Sequence, residues 1–143
     1  MLLHIYIDGA SRKNPGEAGA GIIIEDNKGN RLAELNKYLG IATNNEAEYK
    51  ALIIALEHIS SSSFFAKGKI KKLVFYSDSQ LLVRQMNGEY AVKSPNILPL
   101  YKKAGTILKS LLKEFSFTYI PRELNKSADR LANLAIDSKL TKL

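Results

Sequence analysis

Two aspartates follow predicted strands in positions that would bring their carboxylates together. Asp8 falls at the C-terminal end of the first predicted strand, and Asp78 comes just past the end of the fourth. If those strands are parallel neighbours, both carboxylates emerge at the edge where open α/β sheets bind ligands. Clustered carboxylates repel one another unless cations hold them together, so the pair favours a metal site. The alternative for each aspartate alone is a helix cap or a turn residue.

A glutamate on an apolar helix face is the second unusual carboxylate. Counting 4, 7 and 11 residues onward from Glu48 reaches Leu52, Ala55 and Ile59, the face expected to pack on the sheet. No lysine or arginine lies on that stripe, and an unpaired buried carboxylate is costly, so a metal ion is a suitable partner. The alternative is a first helical turn that protrudes into water.

The fourth candidate is Asp129, which borders the apolar stripe of the last predicted helix. The neighbouring Arg130 could pair with it or point away. The alternative is a solvated helix residue. What favours chemistry is the set of four acids near strand ends and helix starts in a chain whose net charge is +7.

Composition limits the kind of metal that these acids could bind. The chain has no cysteine and two histidines, His4 and His58, which excludes disulfides, thiolate zinc sites and histidine-rich sites. Metal ligands must therefore be oxygen atoms, which favour hard cations such as Mg²⁺ or Mn²⁺. The excess of 21 Lys and Arg over 14 Asp and Glu indicates a polyanionic partner.

The length of 143 residues predicts a single domain, residues 1–143, with one core. The N-terminal residues lack a basic segment and reach a carboxylate at Asp8, which is too early for a signal peptide. No apolar run approaches membrane-spanning length. We therefore expect a soluble, cytoplasmic protein with no membrane partner, and we expect it to be a monomer.

Alternation and turn residues predict the order β-β-β-α-β-α-α-β-α, an α/β domain with a mixed five-stranded sheet. Thr43 or Asn44 would cap the first helix. The predicted strands are 3–7, 20–25, 31–39, 72–77 and 115–120, and the predicted helices are 44–59, 79–86, 98–113 and 126–137. The third helix has an apolar stripe of Leu100, Ala104, Leu108, Leu111 and Leu112, and the fourth one of Ala128, Leu131, Ala132, Ala135 and Ile136.

Five motifs in this order make the chain resemble the type 1 ribonuclease H family along nearly its whole length. The resemblance implies a ribonuclease H-like fold with sheet order 3-2-1-4-5. The motifs are Ile7-Asp8-Gly9, Asn14-Pro15-Gly16, Thr43-Asn44-Asn45-Glu46-Ala47-Glu48, Ser77-Asp78-Ser79-Gln80 and Ala128-Asp129-Arg130-Leu131-Ala132.

The resemblance also implies an endonuclease that hydrolyses the RNA strand of RNA–DNA hybrids. Asp8, Glu48, Asp78 and Asp129 would be the catalytic tetrad and the ligands of two ions, Mg²⁺ or Mn²⁺, spaced about 3.5–4 Å apart. Asp8 would bridge the ions, Asp129 would help hold the ion that activates water, and Glu48 and Asp78 would hold the ion at the leaving 3′ oxygen. The products would carry a 5′ phosphate and a 3′ hydroxyl.

By the same resemblance, Gly9, Asn14, Asn44, Asn45 and Gln80 match positions that touch the hybrid. Neutral donors and acceptors suit 2′-hydroxyl groups, which distinguish RNA from DNA. Turn and cap chemistry explains some of these residues equally well, and both interpretations can hold together.

Two departures from the family pattern concern charge and proton transfer. Many relatives carry a histidine in the loop before the final aspartate, whereas this chain has Ile120-Pro121-Arg122-Glu123-Leu124-Asn125 there. Arg122 or Glu123 would take an accessory role, or the step would be slower. The loop resembles an archaeal-type branch whose members vary in metal preference and in some cases cut double-stranded RNA.

The segment 85–98 contains one basic residue, Lys93, where some relatives have a basic protrusion that grips DNA. We expect modest and salt-dependent hybrid affinity. The positive charge lies elsewhere, in Arg12, Lys13, Lys67, Lys69, Lys71, Lys72, Lys102 and Lys103.

Three other functions compete with a ribonuclease. A non-catalytic nucleic-acid-binding module would normally have lost one of the four acids. A DNA nuclease of the same fold would keep the acids but not the hybrid-reading Asn and Gln positions. A small-molecule enzyme would need a phosphate-binding loop, and residues 16–21 match none.

Overall fold

Five strands and five α-helices form in the part of the chain that this computed structural model describes, residues 1–66 and 69–141. A short 3₁₀ turn, Arg122–Leu124, precedes the last helix. The strands are β1 (Leu2–Ser11), β2 (Gly16–Glu25), β3 (Arg31–Ala42), β4 (Lys72–Ser77) and β5 (Glu114–Tyr119), and the helices are α1 (Asn44–Ser61), α2 (Ser63–Ala66), α3 (Gln80–Met86), α4 (Leu98–Leu111) and α5 (Lys126–Thr141).

The strands form one mixed sheet in the order β3-β2-β1-β4-β5, which confirms the predicted order. β1 is antiparallel to β2 and parallel to β4, and β5 is parallel to β4. The last parallel pair between β1 and β4 joins Tyr6 to Tyr76. Asp8 and Asp78 each lie two residues beyond that pair, so the register of the central strands brings these two acids to one edge of the sheet.

One face of the sheet is buried by α1 and α4 because β1, β2 and β4 present alternate aliphatic and aromatic side chains to it. Ile5 and Phe75 are fully buried there. The rings of Phe75 and Phe117 stack with their centroids 4.8 Å apart, which joins β4 to β5. This core makes the central strands a rigid base for the residues that follow them.

Glycines let α5 lie very close to β2 on the opposite face. A Cβ atom on Gly21 would lie 2.0 Å from the carbonyl oxygen of Ala128, and one on Gly19 would lie 2.3 Å from that of Ala132. Real Cβ atoms do not approach backbone so closely, so these positions require glycine. The close approach fixes where α5 begins, and therefore the position of Asp129 relative to the sheet.

The first helix begins as predicted. Thr43 accepts a hydrogen bond from the Glu46 amide through its side chain, and the Glu46 carboxylate accepts one from the Thr43 amide. This reciprocal pair is a capping box, which satisfies two amides that the helix itself leaves free. It fixes the first turn of α1, and Glu48 lies in the next turn.

Several boundaries differ from those predicted. β1 continues to Ser11, and α2 was not predicted. The inclusion of Leu112 in the apolar stripe was wrong: α4 ends at Leu111, Leu112 adopts a left-handed conformation with φ of 54°, and 91% of its surface is exposed. Lys67 lies outside the described residues. Within the described ranges, no helix combines the length and the apolar character needed to cross a membrane.

Replacing Gly21 by alanine tests whether the contact between β2 and α5 is as close as described. We expect Gly21→Ala to lower the free energy of unfolding by roughly 1–3 kcal/mol, because α5 backbone must move to admit the methyl group. Urea unfolding followed by circular dichroism measures this loss.

Gly105→Ala is the matched control, because a Cβ at Gly105 in α4 would meet no atom within 4 Å. It should stabilise the protein by about 0.4–1 kcal/mol through the unfolded chain. Equal effects of the two substitutions would contradict the packing described for Gly21.

Candidate active site

Four acids from four different elements line one cavity of about 500 Å³. Asp8 comes from β1, Glu48 from the second turn of α1, Asp78 from the residue after β4, and Asp129 from the first turn of α5. Asp129 is placed where the positive end of the helix dipole favours a carboxylate. The other lining residues are Gly9, Ala10, Ser11, Asn44, Tyr119, Arg122 and Asn133.

Three of the acids form a compact group with metal-ligand spacing. Asp8, Glu48 and Asp78 each offer a carboxylate oxygen, and these three atoms lie within 4.8 Å of one another. Asp8 is 4% exposed and Glu48 7%. Asp129 is outside this group and more exposed, with its Oδ1 atom 3.2 Å from Asn133 Nδ2 and 3.9 Å from an Arg122 guanidinium nitrogen. The geometry is therefore a compact triad, in which Asp8 and Glu48 are buried and Asp78 is half-buried, with a fourth acid at the rim.

Burial and neighbouring negative charges raise the pKa values of all three acids of the triad. Burial raises the pKa of Asp8, and the charges of Glu48 and Asp78 raise it further. Burial also raises the pKa of Glu48, with Asp78 adding to the effect and a backbone hydrogen bond from Gly9 opposing it. For Asp78 burial is again the main cause of a raised pKa. The cluster therefore binds protons tightly when no other cation compensates it.

The donor set matches a hard divalent cation. Every ligand atom of the triad is a carboxylate oxygen, the type that Mg²⁺ and Mn²⁺ prefer. The Oε2 atom of Glu48 is buried and has no hydrogen-bond partner among the described residues. Leaving such an atom unpaired is costly, and a cation would remove that cost.

A close backbone contact positions Glu48 relative to Asp8. A Cβ atom on Gly9 would lie 2.3 Å from the Glu48 amide nitrogen and 2.2 Å from the Ala47 carbonyl carbon. Only glycine allows β1 and α1 to approach in this way. The family resemblance implies a substrate role for Gly9, and the structure adds a packing reason for this glycine. That substrate role stays a prediction.

The predicted hybrid-contacting residues divide into two groups. Gly9 and Asn44 line the cavity, whereas Asn14, Asn45 and Gln80 do not. The Asn14 side-chain oxygen accepts a hydrogen bond of 3.0 Å from the Asn44 amide, which anchors the start of α1 to the turn after β1. Asn45 and Gln80 are exposed at the starts of α1 and α3, so both are accessible to a large ligand.

The two accessory residues proposed from the loop point in different directions. Arg122 lines the acidic cavity, and its side chain is 79% exposed. Glu123 lines a separate cavity of about 360 Å³, together with Leu124 and Lys126. Of the two, Arg122 is the one that the fold brings to the acids.

Sequence reasoning missed three residues at this site. Tyr119 ends β5 at the same edge as Asp78, and Asn133 lies one helical turn after Asp129, so strand ends and helical spacing could have identified both. Asn125 is 2% exposed and donates a hydrogen bond of 3.3 Å to the Asp78 carboxylate. Its position directly before α5 was the signal for it.

The predicted positive charges are mostly remote from the acids. Lys69, Lys71 and Lys72 precede or begin β4, whose other end carries the site. Arg12 forms an ion pair of 2.8 Å with Asp137 and also hydrogen-bonds Asn133, which ties the end of β1 to α5. Of the basic side chains in the described ranges, Arg122 is the one that lines the acidic cavity.

Comparison with known proteins gives consistent matches over almost the whole chain. A family profile described as "Reverse transcriptase-like" matches residues 6–135. The chain is 38% identical over 135 residues to "Ribonuclease HI" of Halobacterium salinarum, covering 94% of this chain and 64% of that protein. It is 39% identical over 139 residues to "Bifunctional protein Rv2228c" of Mycobacterium tuberculosis, covering 96% of this chain and 36% of that protein. The chain thus spans less than two thirds of either curated relative.

Two solved structures are similar throughout. LC11-RNase H1, solved in complex with an RNA/DNA hybrid, superposes with a TM-score of 0.91 at 44% identity, covering 96% of this chain and 99% of that one. RNase H1 from the halophilic archaeon Halobacterium salinarum superposes with a TM-score of 0.85 at 37% identity, with the same coverage.

Replacing one buried acid by its neutral isostere should stabilise the metal-free protein. Because the folded pKa of Asp8 is raised, the native state holds a proton that the unfolded chain releases, so stability is lost as pH rises above the ordinary carboxylate range. We expect Asp8→Asn to stabilise the protein in EDTA at pH 8 by about 0.5–2 kcal/mol. The gain should shrink at pH 5, and thermal unfolding at both pH values measures it.

Asp26→Asn is a control for which we expect the opposite change in stability, a loss rather than a gain. The Asp26 carboxylate accepts hydrogen bonds from the Lys28 and Asn30 amides and from the Asn30 side chain, and those from Asn30 are the main cause of its lowered pKa. A lowered pKa gives stability that is present above the unfolded pKa, so this variant should be less stable than wild type at pH 8. A stability loss for Asp8→Asn at pH 8 would contradict the repulsion described for the triad.

Proposed function

The chain belongs to the type 1 ribonuclease H family, and on that premise we propose that it is an endonuclease that cuts the RNA strand of RNA–DNA hybrids. The observation that carries the proposal is the packing of Asp8, Glu48 and Asp78 ligand atoms within 4.8 Å at one edge of the sheet. A related fold, similar to this chain over 96% of its length, has been solved with an RNA/DNA hybrid bound. The reaction is hydrolysis of a phosphodiester bond that leaves a 5′ phosphate and a 3′ hydroxyl.

We propose that the acids hold two divalent ions, Mg²⁺ or Mn²⁺. The orphaned Oε2 atom of Glu48 and the all-oxygen donor set fit such ions. Asp8, which interacts with each of the other three acids, would be shared between the two ions, with Glu48 and Asp78 holding one and Asp129 helping to hold the other. When bound, such ions activate water and stabilise the charge on the phosphate and the leaving oxygen.

Arg122 supplies a positive charge at the wall of the cavity. An arginine side chain stays protonated in proteins, so Arg122 cannot carry out the proton transfer of a histidine. Its exposed guanidinium at the cavity wall can instead bind a phosphate oxygen of the RNA strand. We therefore propose that Arg122 orients the scissile phosphate and that water carries the protons.

The neutral residues around the cavity would recognise the RNA strand. Asn44 lines the cavity beside Glu48, and exposed Asn45 follows it on the same helical turn. Amide side chains of this kind can both donate to and accept from a 2′-hydroxyl, which a DNA strand lacks. Because double-stranded RNA also presents 2′-hydroxyls, it is a second substrate that the proposal allows.

Cleavage of matched duplexes tests the proposed activity. End-labelled RNA–DNA hybrid, duplex DNA and duplex RNA of one sequence are incubated with Mg²⁺, Mn²⁺ or EDTA, and the fragments are resolved. We expect metal-dependent cutting of RNA strands in the hybrid and none of duplex DNA. The duplex-RNA reaction decides whether the second substrate is used. Binding of hybrid without cleavage in any metal would favour a non-catalytic module instead.

Asp8→Asn separates catalysis from binding. The variant keeps the shape of Asp8 but loses a charge needed for the ions, so cleavage should be abolished. In Ca²⁺, its affinity for the hybrid, measured by fluorescence anisotropy, should stay close to wild type. Normal turnover by Asp8→Asn would refute the proposed metal site.

Asn45→Ala tests recognition of RNA. Loss of one neutral hydrogen bond, worth about 1 kcal/mol, should reduce discrimination between hybrid and duplex DNA by about fivefold. Affinity for duplex DNA should change much less. If both affinities fell by the same factor, Asn45 would have a structural role at the helix start rather than a role in recognition.

A further inference from the structure

Asn125 lies at the junction of three elements that carry site acids. It is the residue between the 3₁₀ turn and α5, and only 2% of its surface is exposed. Its side-chain nitrogen donates hydrogen bonds to the Ile7 carbonyl oxygen, at 2.9 Å, and to Asp78 Oδ2, at 3.3 Å. Its own carbonyl oxygen accepts from the Asp129 amide at 3.1 Å. One residue therefore contacts the peptide before Asp8, the carboxylate of Asp78 and the backbone of Asp129.

The orientation of the Asn125 amide is determined by its surroundings. Its nitrogen faces two oxygen atoms, so exchanging the nitrogen and oxygen of the amide would set oxygen against oxygen. The Oδ1 atom, on the other side, is buried and has no partner among the described residues. A buried acceptor without a donor costs stability. Asn125 is thus oriented for its two donated bonds even though its acceptor is left unsatisfied.

Asp78 is the member of the triad that most needs such support. It is only half-buried, and it follows the last residue of β4, so the sheet does not restrain its side chain. The negative charges of Glu48 and Asp129 repel it. The positive charge of Arg122 attracts Asp78, but the ion pair that Arg122 forms among the described contacts is with Asp129. The Asn125 amide is the hydrogen-bond donor that reaches the Asp78 carboxylate from the protein interior.

We infer that Asn125 is a positioning residue, which holds the Asp78 carboxylate in place for the metal ions before they bind. This inference rests on the proposed function. A neutral amide suits this task better than a lysine or an arginine, because it restrains the carboxylate without cancelling the negative charge that attracts a cation. The same side chain fixes the distance between Asp78 and β1 through the Ile7 carbonyl oxygen.

The test compares three variants with the wild-type protein. Asn125→Ala removes both donated bonds. Asn125→Ser keeps a residue that is favoured before a helix but is too short to reach both acceptors. The matched control is Asn87→Ala, because Asn87 also donates through its side chain to a strand carbonyl, that of Phe117, at 3.1 Å. Asn87 contacts none of the four acids in the described contacts.

Calorimetric titration with Mn²⁺ is the main measurement, and kcat and KM on the hybrid over a range of Mn²⁺ concentrations are the second. We expect both Asn125 variants to bind Mn²⁺ at least about tenfold more weakly, the usual effect of losing a residue that orients a metal ligand. Their kcat should fall at low Mn²⁺ and recover partly at high Mn²⁺, with KM unchanged. Asn87→Ala should lose stability in EDTA but keep wild-type Mn²⁺ affinity.

The outcomes separate this inference from the proposed function. Wild-type Mn²⁺ affinity and kcat in the Asn125 variants, with only a lower melting temperature, would overturn the positioning role and leave the nuclease intact. If the wild-type protein binds Mn²⁺ but cuts no hybrid, the proposed function fails while the Mn²⁺ affinities still decide the role of Asn125. A wild-type protein that binds no Mn²⁺ would overturn both.

Discussion

The mutual repulsion of three crowded carboxylates, two of them buried, is the constraint on which the rest of this structure depends. Asp8, Glu48 and Asp78 are held within metal-ligand distance although burial and like charge both disfavour the arrangement. A flexible chain would relieve the repulsion by separating them. Here the acids come from β1, α1 and the end of β4, and those elements are fixed by a common apolar core. The stability of the core therefore offsets the cost of the site.

Close backbone contacts transmit that rigidity to the acids. At Gly9, the absence of a side chain lets β1 touch the first turns of α1, so the Asp8 and Glu48 backbones have one relative position. At Gly21, the missing side chain likewise lets α5 pack directly against β2, which fixes the start of the helix that carries Asp129. The capping box at Thr43 completes the arrangement by defining where α1 begins. These contacts join protein groups to one another and need no bound ion, so the fold itself organises the site.

The sequence was sufficient for the parts of this arrangement that depend on local pattern. Period-two alternation identified the strands, cap chemistry identified Thr43, and the helical spacing from Glu48 to Ile59 identified a carboxylate on a buried face. It was insufficient where the outcome depends on tertiary contacts. The left-handed end of α4 at Leu112 is one example, since the apolar stripe alone favoured burial.

Contacts between residues far apart in the sequence could not be predicted from it either. The ion pair of Arg12 with Asp137 joins residues 125 positions apart, and it engages a charge that the composition assigned to a nucleic-acid partner. The bond from Asn125 to Asp78 spans 47 positions and depends on how the loop before α5 crosses the sheet edge. Such contacts require the strand order and the loop path together.

Positive and negative charges are concentrated in different parts of the molecule. The chain carries a net charge of +7, yet the cavity contains four carboxylates and one basic side chain, Arg122, within the described structure. A polyanion is attracted by the whole protein over a range that salt shortens, whereas a divalent cation is attracted by the cavity at close range. The lysines at the start of β4 lie at the opposite edge of the sheet from the acids. They therefore help to attract a polyanion without neutralising the cavity that attracts a divalent cation. Under the proposed function, this separation would let one small chain attract a nucleic acid and still keep a strongly negative site for divalent ions.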